Sequence, residues 1–212
     1  MTLHEPATLL TDYLLALLGG VCGWRLRCLA GGENIPQLWW SRALRFTAMA
    51  AAVGGSHHGF GPVLSTGASE GLWRATLLLI GLTSAAMALT LVHELSPQAH
   101  RRRWQWLVWV KFGGFAVVAL ARPVFLVAMT DYGLAMVALA AAALLARRSW
   151  RCPMLAAIAL SALAAAVQQG EWGFSARFNH NDVYHVIQGC GIFLFYRAGR
   201  RLGAMPAARF AS

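Results

Sequence analysis

Residues 72–95 read LWRATLLLIGLTSAAMALTLVHEL, and no side chain between Ala75 and Val92 carries a formal charge. A bilayer core of about 30 Å takes about 20 apolar residues in a helix, so this stretch is long enough to cross one. Lipid offers no hydrogen bonds to the backbone, so a single crossing segment must be helical. Runs of similar character lie on both sides of it. Spans are predicted at residues 8–28, 40–61, 72–95, 104–128, 131–147, 153–169 and 181–198. Seven spans occupy about 140 residues, which leaves short loops and no room for a soluble domain. The expectation is one all-α, polytopic seven-helix bundle covering residues 1–212.

Composition agrees. Hydrophobic residues make up 58% of the chain and charged residues 12%, against about 25% charged in soluble domains. Between Trp104 and Ala146 there is room for two helices and a tight turn. The turn falls either at Arg122-Pro123 or at Thr130-Asp131-Tyr132-Gly133. The second is preferred, because Thr130 or Asp131 can cap the next helix. The four cysteines, Cys22, Cys28, Cys152 and Cys190, are dispersed, which argues against a disulfide framework or a cysteine zinc site. Met1–Ala7 contains Glu5 and no Lys or Arg. A basic signal-peptide n-region is missing, so the first run is expected to be a retained span.

Arginine placement gives the orientation. With seven spans, one side holds Arg25, Arg27, Arg42, Arg45, Arg101, Arg102, Arg103, Arg147, Arg148, Arg151, Arg197, Arg200, Arg201 and Arg209. Only Arg74, Arg122 and Arg177 fall toward the other. The positive-inside rule then puts the N-terminus outside and the C-terminus in the cytoplasm. The net charge of +10 is thereby explained by topology and anionic headgroups, so membrane lipids are the expected partners and nucleic acid is not. Trp39, Trp40, Trp104, Trp106 and Trp109 sit where an aromatic belt is expected. Gly19-Gly20 and Gly113-Gly114 suit close helix packing.

Ionisable groups in a membrane bundle are costly and mark functional candidates. His57 and His58 end span two, and His180 and His185 open span seven, so four histidines reach one membrane depth. Asn181, His185 and Gln188 follow i, i+4, i+7 and share a face. Asp182 lies at the edge of that face. His180, five residues before His185, joins them only if it precedes the helix. His57 and His58 are adjacent, and either one is the better aimed. Such a set suits zinc, which takes three protein ligands plus water in catalytic sites. The candidate metal ligands are His57, His58, His180 and His185. Asp182 can orient a ligand histidine, take a proton from the water or bind the metal. Ser56 can donate to a bound water or an oxyanion. Each motif also has a plain explanation: a polar helix end reaching water, and an Asn-Asp N-cap. Glu70, Asp12 and Asp131 are expected to be solvated ends or caps. Arg74 and Arg122 are expected to pair with them or snorkel. His93, His4 and His100 are not expected to join the site.

A seven-span, N-out chain with a Gly-Ser-His element in span two and a histidine-rich start to span seven resembles the CREST superfamily. That group contains the alkaline ceramidases and the progestin and adipoQ receptors. The resemblance implies a zinc held by one histidine of the second helix and two of the last, and hydrolysis of a lipid amide. The carry-over is partial. His185 and Tyr184 match the second histidine of the last helix and the aromatic before it. The first histidine slot is Asn181, with His180 one residue out of register. If His58 is the span-two ligand, the family's serine slot is Gly54. The acidic residue of the third helix has no clean match, Glu70 being nearest. A divergent bacterial-type member in the inner (plasma) membrane is implied.

The expected function is therefore zinc-dependent hydrolysis of a lipid amide or ester. One alternative is a haem-binding redox protein, with His57 or His58 facing His185 and His93 at the other face. Another is a receptor or structural protein with a closed metal site. A retinal protein is disfavoured, because the only lysine is Lys111, in span four.

Overall fold

A computed structural model of the chain describes residues 4–146, 148–175 and 178–203. Arg147, Arg177 and Arg209, invoked above for topology, lie outside the described residues. The chain forms seven α-helices: α1 (Pro6–Ala30), α2 (Ile35–Phe60), α3 (Thr66–Leu95), α4 (Gln98–Ala121), α5 (Phe125–Ala146), α6 (Arg151–Gln169) and α7 (His180–Gly199). Among the described residues there is no β-strand, only an isolated antiparallel bridge between Ser175 and Phe178.

Helix boundaries follow local chemistry. Asn34 caps α2 by accepting from the Gln37 N–H, and Ser65 caps α3 by accepting from the Ala68 N–H. Gly31, at φ 58°, ends α1 in the left-handed conformation that glycine adopts without strain. The break between α4 and α5 falls at Arg122-Pro123-Val124, not at the preferred Thr130–Gly133. Pro123 lacks an N–H and pushes Arg122 out of the α region, to φ −132° and ψ 84°. Thr130 is no cap; its hydroxyl donates back to the Leu126 carbonyl inside α5. Asp131 is not a solvated end either. It is buried and paired with Lys111 of α4.

Six helices close a ring in the order α1, α2, α3, α5, α6, α7, and α4 lies outside it against α3. α4 buries little beyond Phe115 and Ala119. The Phe115 ring fits over Gly81 of α3, where an added Cβ would lie 2.2 Å from it. On the other side of the ring, Trp40 of α2 is fully buried and donates its indole N–H to the Phe195 carbonyl of α7 at 2.9 Å. Small residues let α1 and α2 approach. A Cβ on Gly19 would sit 3.2 Å from the Leu44 carbonyl oxygen, the close contact expected of small residues in membrane bundles. Gly113 and Gly114 face open space instead, so they serve no such contact.

Five helices, α1, α3, α4, α5 and α6, are long and apolar enough to cross a membrane. The two that fall short, α2 and α7, are the two carrying the paired histidine motifs. Their lower apolarity reflects what they contribute to the interior. The helices run alternately up and down. At one end Asn34 donates to the Leu202 carbonyl, Gln37 to that of Arg200 and Arg201 to that of Ser149. At the other end His4 N–H meets the Gly59 carbonyl, and the Trp73 indole donates to Pro123.

Candidate active site

The His4–Gly59 end of the ring opens into a cavity of about 350 Å³ lined by α1, α2, α3, α5, α6 and α7. That volume falls in the range of small-molecule sites, about 300–1,000 Å³. Leu15, Ala50, Ala51, Ile80 and Met129 give it apolar walls. Asp12, His58 and His185 line it, together with the phenols of Tyr132 and Tyr184.

Two helix ends bring these groups together. α7 starts at His180 because Asn179 and Asp182 form a capping box. Asp182 Oδ2 accepts from the Asn179 N–H at 2.7 Å. This fixes the register that turns Asn181, His185 and Gln188 into the cavity together, the shared face expected from their spacing. α2 ends at Phe60, ahead of Gly61-Pro62, and so leaves His57 and His58 in its last turn. A helix C-terminus favours a cation there.

His185 is the centre of the arrangement. It is 8% exposed and Asp12 is 5% exposed. His185 Nε2 lies 3.1 Å from Asp12 Oδ1. On the other side of the ring, Nδ1 lies 2.9 Å from the Thr11 hydroxyl. That hydroxyl is in turn 3.4 Å from Asp182 Oδ1 and 3.1 Å from the Thr8 carbonyl. A hydroxyl has one proton, which gives two patterns for the neutral ring. Thr11 can donate to Nδ1, and Nε2–H then donates to Asp12. Alternatively Nδ1–H donates to Thr11, the Thr11 proton goes to Asp182 or Thr8, and the Nε2 lone pair faces Asp12. The second pattern places two electron pairs against each other unless a proton or a cation lies between them. Asp12 Oδ2 is buried with no hydrogen-bond partner, so this carboxylate has capacity left.

Asp12 was expected to be a solvated end or cap. Its burial comes from α7, 173 residues away in sequence, and from Gly55 of α2. A Cβ on Gly55 would sit 2.7 Å from the Asp12 Cβ. The one signal in the sequence was a carboxylate set inside an apolar run. Thr11, Tyr132 and Ser161 also escaped notice, because neutral polar residues are common in spans. Tyr132 and Ser161 line the cavity, and Ser161 Oγ is buried without a partner.

The candidate set divides. His58 and His185 both line the cavity, whereas His57, Ser56 and His180 do not. His57, about 100° round the helix from His58, lies against the Trp73 ring, with centroids 5.4 Å apart. Ser56 donates to the Ala52 carbonyl at 2.8 Å and meets Tyr13 Oη at 3.0 Å. His180 is the first residue of α7 and so points away from the His185 face. Asp182 is fully buried behind Thr11, placed to orient His185 rather than to reach the cavity. His58 Nδ1 is held at 2.9 Å by Glu5 Oε2. Glu70 pairs with Arg74 one helical turn on, at 3.2 Å, and takes no part. Among the described residues, no group of three or more His, Cys, Asp or Glu side chains is already gathered to hold a metal ion.

The fold and the site define a helical bundle, five of its helices long and apolar enough to cross a membrane, with a buried Asp–His pair at the head of an apolar cavity. The chain belongs to DUF6962, a family of unknown function whose model matches residues 7–204. No curated protein and no solved structure matches it.

Proposed function

We propose that the protein is a seven-span intramembrane hydrolase of a lipid amide or ester, metal-dependent and centred on His185. In this topology the N-terminus and the cavity mouth lie outside and the arginine-rich end is cytoplasmic, in the inner membrane of a bacterium. The observation that carries the proposal is His185 itself. It is a buried imidazole held between Asp12 and a Thr11–Asp182 relay, facing a cavity with apolar walls.

The donor chemistry fits a metal. Two atoms that share a tetrahedral zinc at about 2.0–2.1 Å each lie a little over 3 Å apart, close to the spacing of Asp12 Oδ1 and His185 Nε2. Ligating histidines commonly give their other ring N–H to an acceptor that fixes the tautomer, as Thr11 does for His185 and Glu5 for His58. His185 and Asp12 would hold the ion, with His58 as the third donor. The CREST resemblance points the same way through His58 and His185, with zinc as the metal. When bound, such an ion polarises the carbonyl and lowers the pKa of a water toward about 7.

The chain's own residues supply the rest. Leu15, Ile80 and Met129 take the acyl chain and exclude water. With the ion held in this way, Asp12 Oδ2, which has no hydrogen-bond partner, would receive a proton from the attacking water and return it to the departing amine or alcohol. Asp182, through Thr11, keeps the imidazole in one orientation. Tyr132 and Gln188, one to two turns deeper, offer neutral hydrogen bonds to a substrate carbonyl or hydroxyl.

The missing third ligand in close contact favours a second reading, in which Asp12 and His185 work as a metal-free acid–base pair. Haem ligation is less well supported. His93, needed at the other face, has Nε2 occupied by the Gln105 amide at 2.8 Å. Release of fatty acid from a fluorescent N-acyl lipid by purified protein tests the proposal. Activity that chelation abolishes and zinc restores supports metal dependence. Chelator-resistant activity supports the acid–base pair, and no activity in any His185-dependent assay sinks both.

A further inference from the structure

Glu5 is the N-cap of α1, yet its side chain makes no cap hydrogen bond. Its backbone sits at φ 43° and ψ 59°, in the left-handed region. Apart from Glu5, only Glu171 among the described non-glycine residues has positive φ. Such conformations are strained for a residue with a Cβ, and they persist where surrounding contacts enforce them. Here the contacts are with α2. The His4 N–H donates to the Gly59 carbonyl at 3.2 Å, which lays residues 4 and 5 along the last turn of α2. Gly59 leaves room for Leu9, whose Cδ2 would lie 2.8 Å from an added Cβ. The carboxylate of Glu5 then reaches His58 Nδ1 at 2.9 Å instead of the helix it begins.

A carboxylate only accepts hydrogen bonds, so the proton must sit on His58 Nδ1. In the neutral ring this leaves Nε2 as the free acceptor, on a residue that lines the cavity. We infer that Glu5 is a positioning residue whose strained backbone turns its carboxylate onto His58 and fixes that imidazole in the Nδ1–H tautomer, so that Nε2 is available to a cation or a proton in the cavity. The inference rests on the assignment of His58 to the site. It gives the two cavity histidines matching supports: Glu5 behind His58, and Thr11 with Asp182 behind His185.

The test is long-range ¹H–¹⁵N spectroscopy of the full chain in nanodiscs, ¹⁵N-labelled at histidine and freed of metal by chelation. The pH is set near 8, above the ordinary imidazole value. The His58 signals are those missing from His58→Gln. The wild type is expected to show Nδ1–H with Nε2 unprotonated. Glu5→Ala is expected to move His58 toward Nε2–H, the form that a neutral histidine side chain prefers in water. Glu5→Gln, whose amide oxygen still accepts, is expected to retain Nδ1–H. A wild-type His58 whose neutral ring is Nε2–H overturns the inference without any variant. So does a tautomer unchanged in Glu5→Ala. A second readout is Zn²⁺ affinity by competition with a chromophoric chelator, expected to fall about 10–100-fold in Glu5→Ala and to recover in Glu5→Gln. If the tautomer switches but neither protein binds Zn²⁺, Glu5 keeps its role and the metal is removed from the proposed function.

Discussion

His185 Nε2 and Asp12 Oδ1 lie 3.1 Å apart, joining the start of α7 to the first turns of α1 inside a cavity head that water scarcely reaches. This contact has energetic and chemical consequences that separate cleanly. Asp12→Asn preserves shape and one hydrogen bond but removes the charge. Its thermal unfolding in detergent should change little, while hydrolysis falls by about 100-fold or more, the scale of a lost acid–base group. Asp12→Leu leaves His185 Nε2 unpaired and should cost about 1–3 kcal/mol of stability as well.

Gly55 and Gly54 are neighbours with opposite expectations. A Cβ at Gly55 would meet Asp12 Cβ at 2.7 Å, whereas one at Gly54 would meet only the Thr76 side chain, no nearer than 3.4 Å. Gly55→Ala should push α1 from α2, destabilise by about 1–3 kcal/mol through overpacking and displace Asp12. Gly54→Ala should fold as the wild type does. Equal melting temperatures for the two variants would contradict the packing described.

The bundle was largely legible in the sequence and the site only in part, for identifiable reasons. Seven helices follow from apolar length, which is a local property. The α4–α5 break was misplaced because cap chemistry at Thr130 and Asp131 was weighed above the steric rule at Pro123. Thr130 spends its hydroxyl on Leu126, and Asp131 is consumed by Lys111. The shared face of Asn181, His185 and Gln188 was legible because helical spacing sets it. Asp12 was not, because its partners on α2 and α7 are fixed only when the ring closes. Spacing alone also could not separate His57 from His58, since the choice depends on how α2 is rotated against α1 and α3.

Exposed Lys111 of α4 pairs with buried Asp131 of α5, one of the polar links between peripheral α4 and the ring, beside the Gln105–His93 contact. Lys111→Met leaves the buried Asp131 carboxyl without its partner and should cost about 1–3 kcal/mol, whereas Lys111→Met with Asp131→Leu should be near neutral. Thermal unfolding of the two variants in the same detergent checks this. A single variant no worse than the double would show that the pair carries no such penalty.

Orientation is testable with cysteine chemistry. Cys28 and Cys152 are exposed and sit at the arginine-rich end. In intact cells a membrane-impermeant maleimide should label Ala68→Cys, at the opposite end, in an otherwise cysteine-free chain. Single Cys28 or Cys152 chains should react only after permeabilisation. The reverse pattern would invert the topology and put the cavity mouth in the cytoplasm.

The most direct measurement of the central claim is elemental analysis of the purified protein, wild type beside His185→Ala, with both shown to be folded by their unfolding transitions. A metal-dependent centre at His185 predicts close to one zinc per wild-type chain and almost none in the variant. Equal metal content in the two proteins, or none in the wild type even after incubation with zinc, would contradict it.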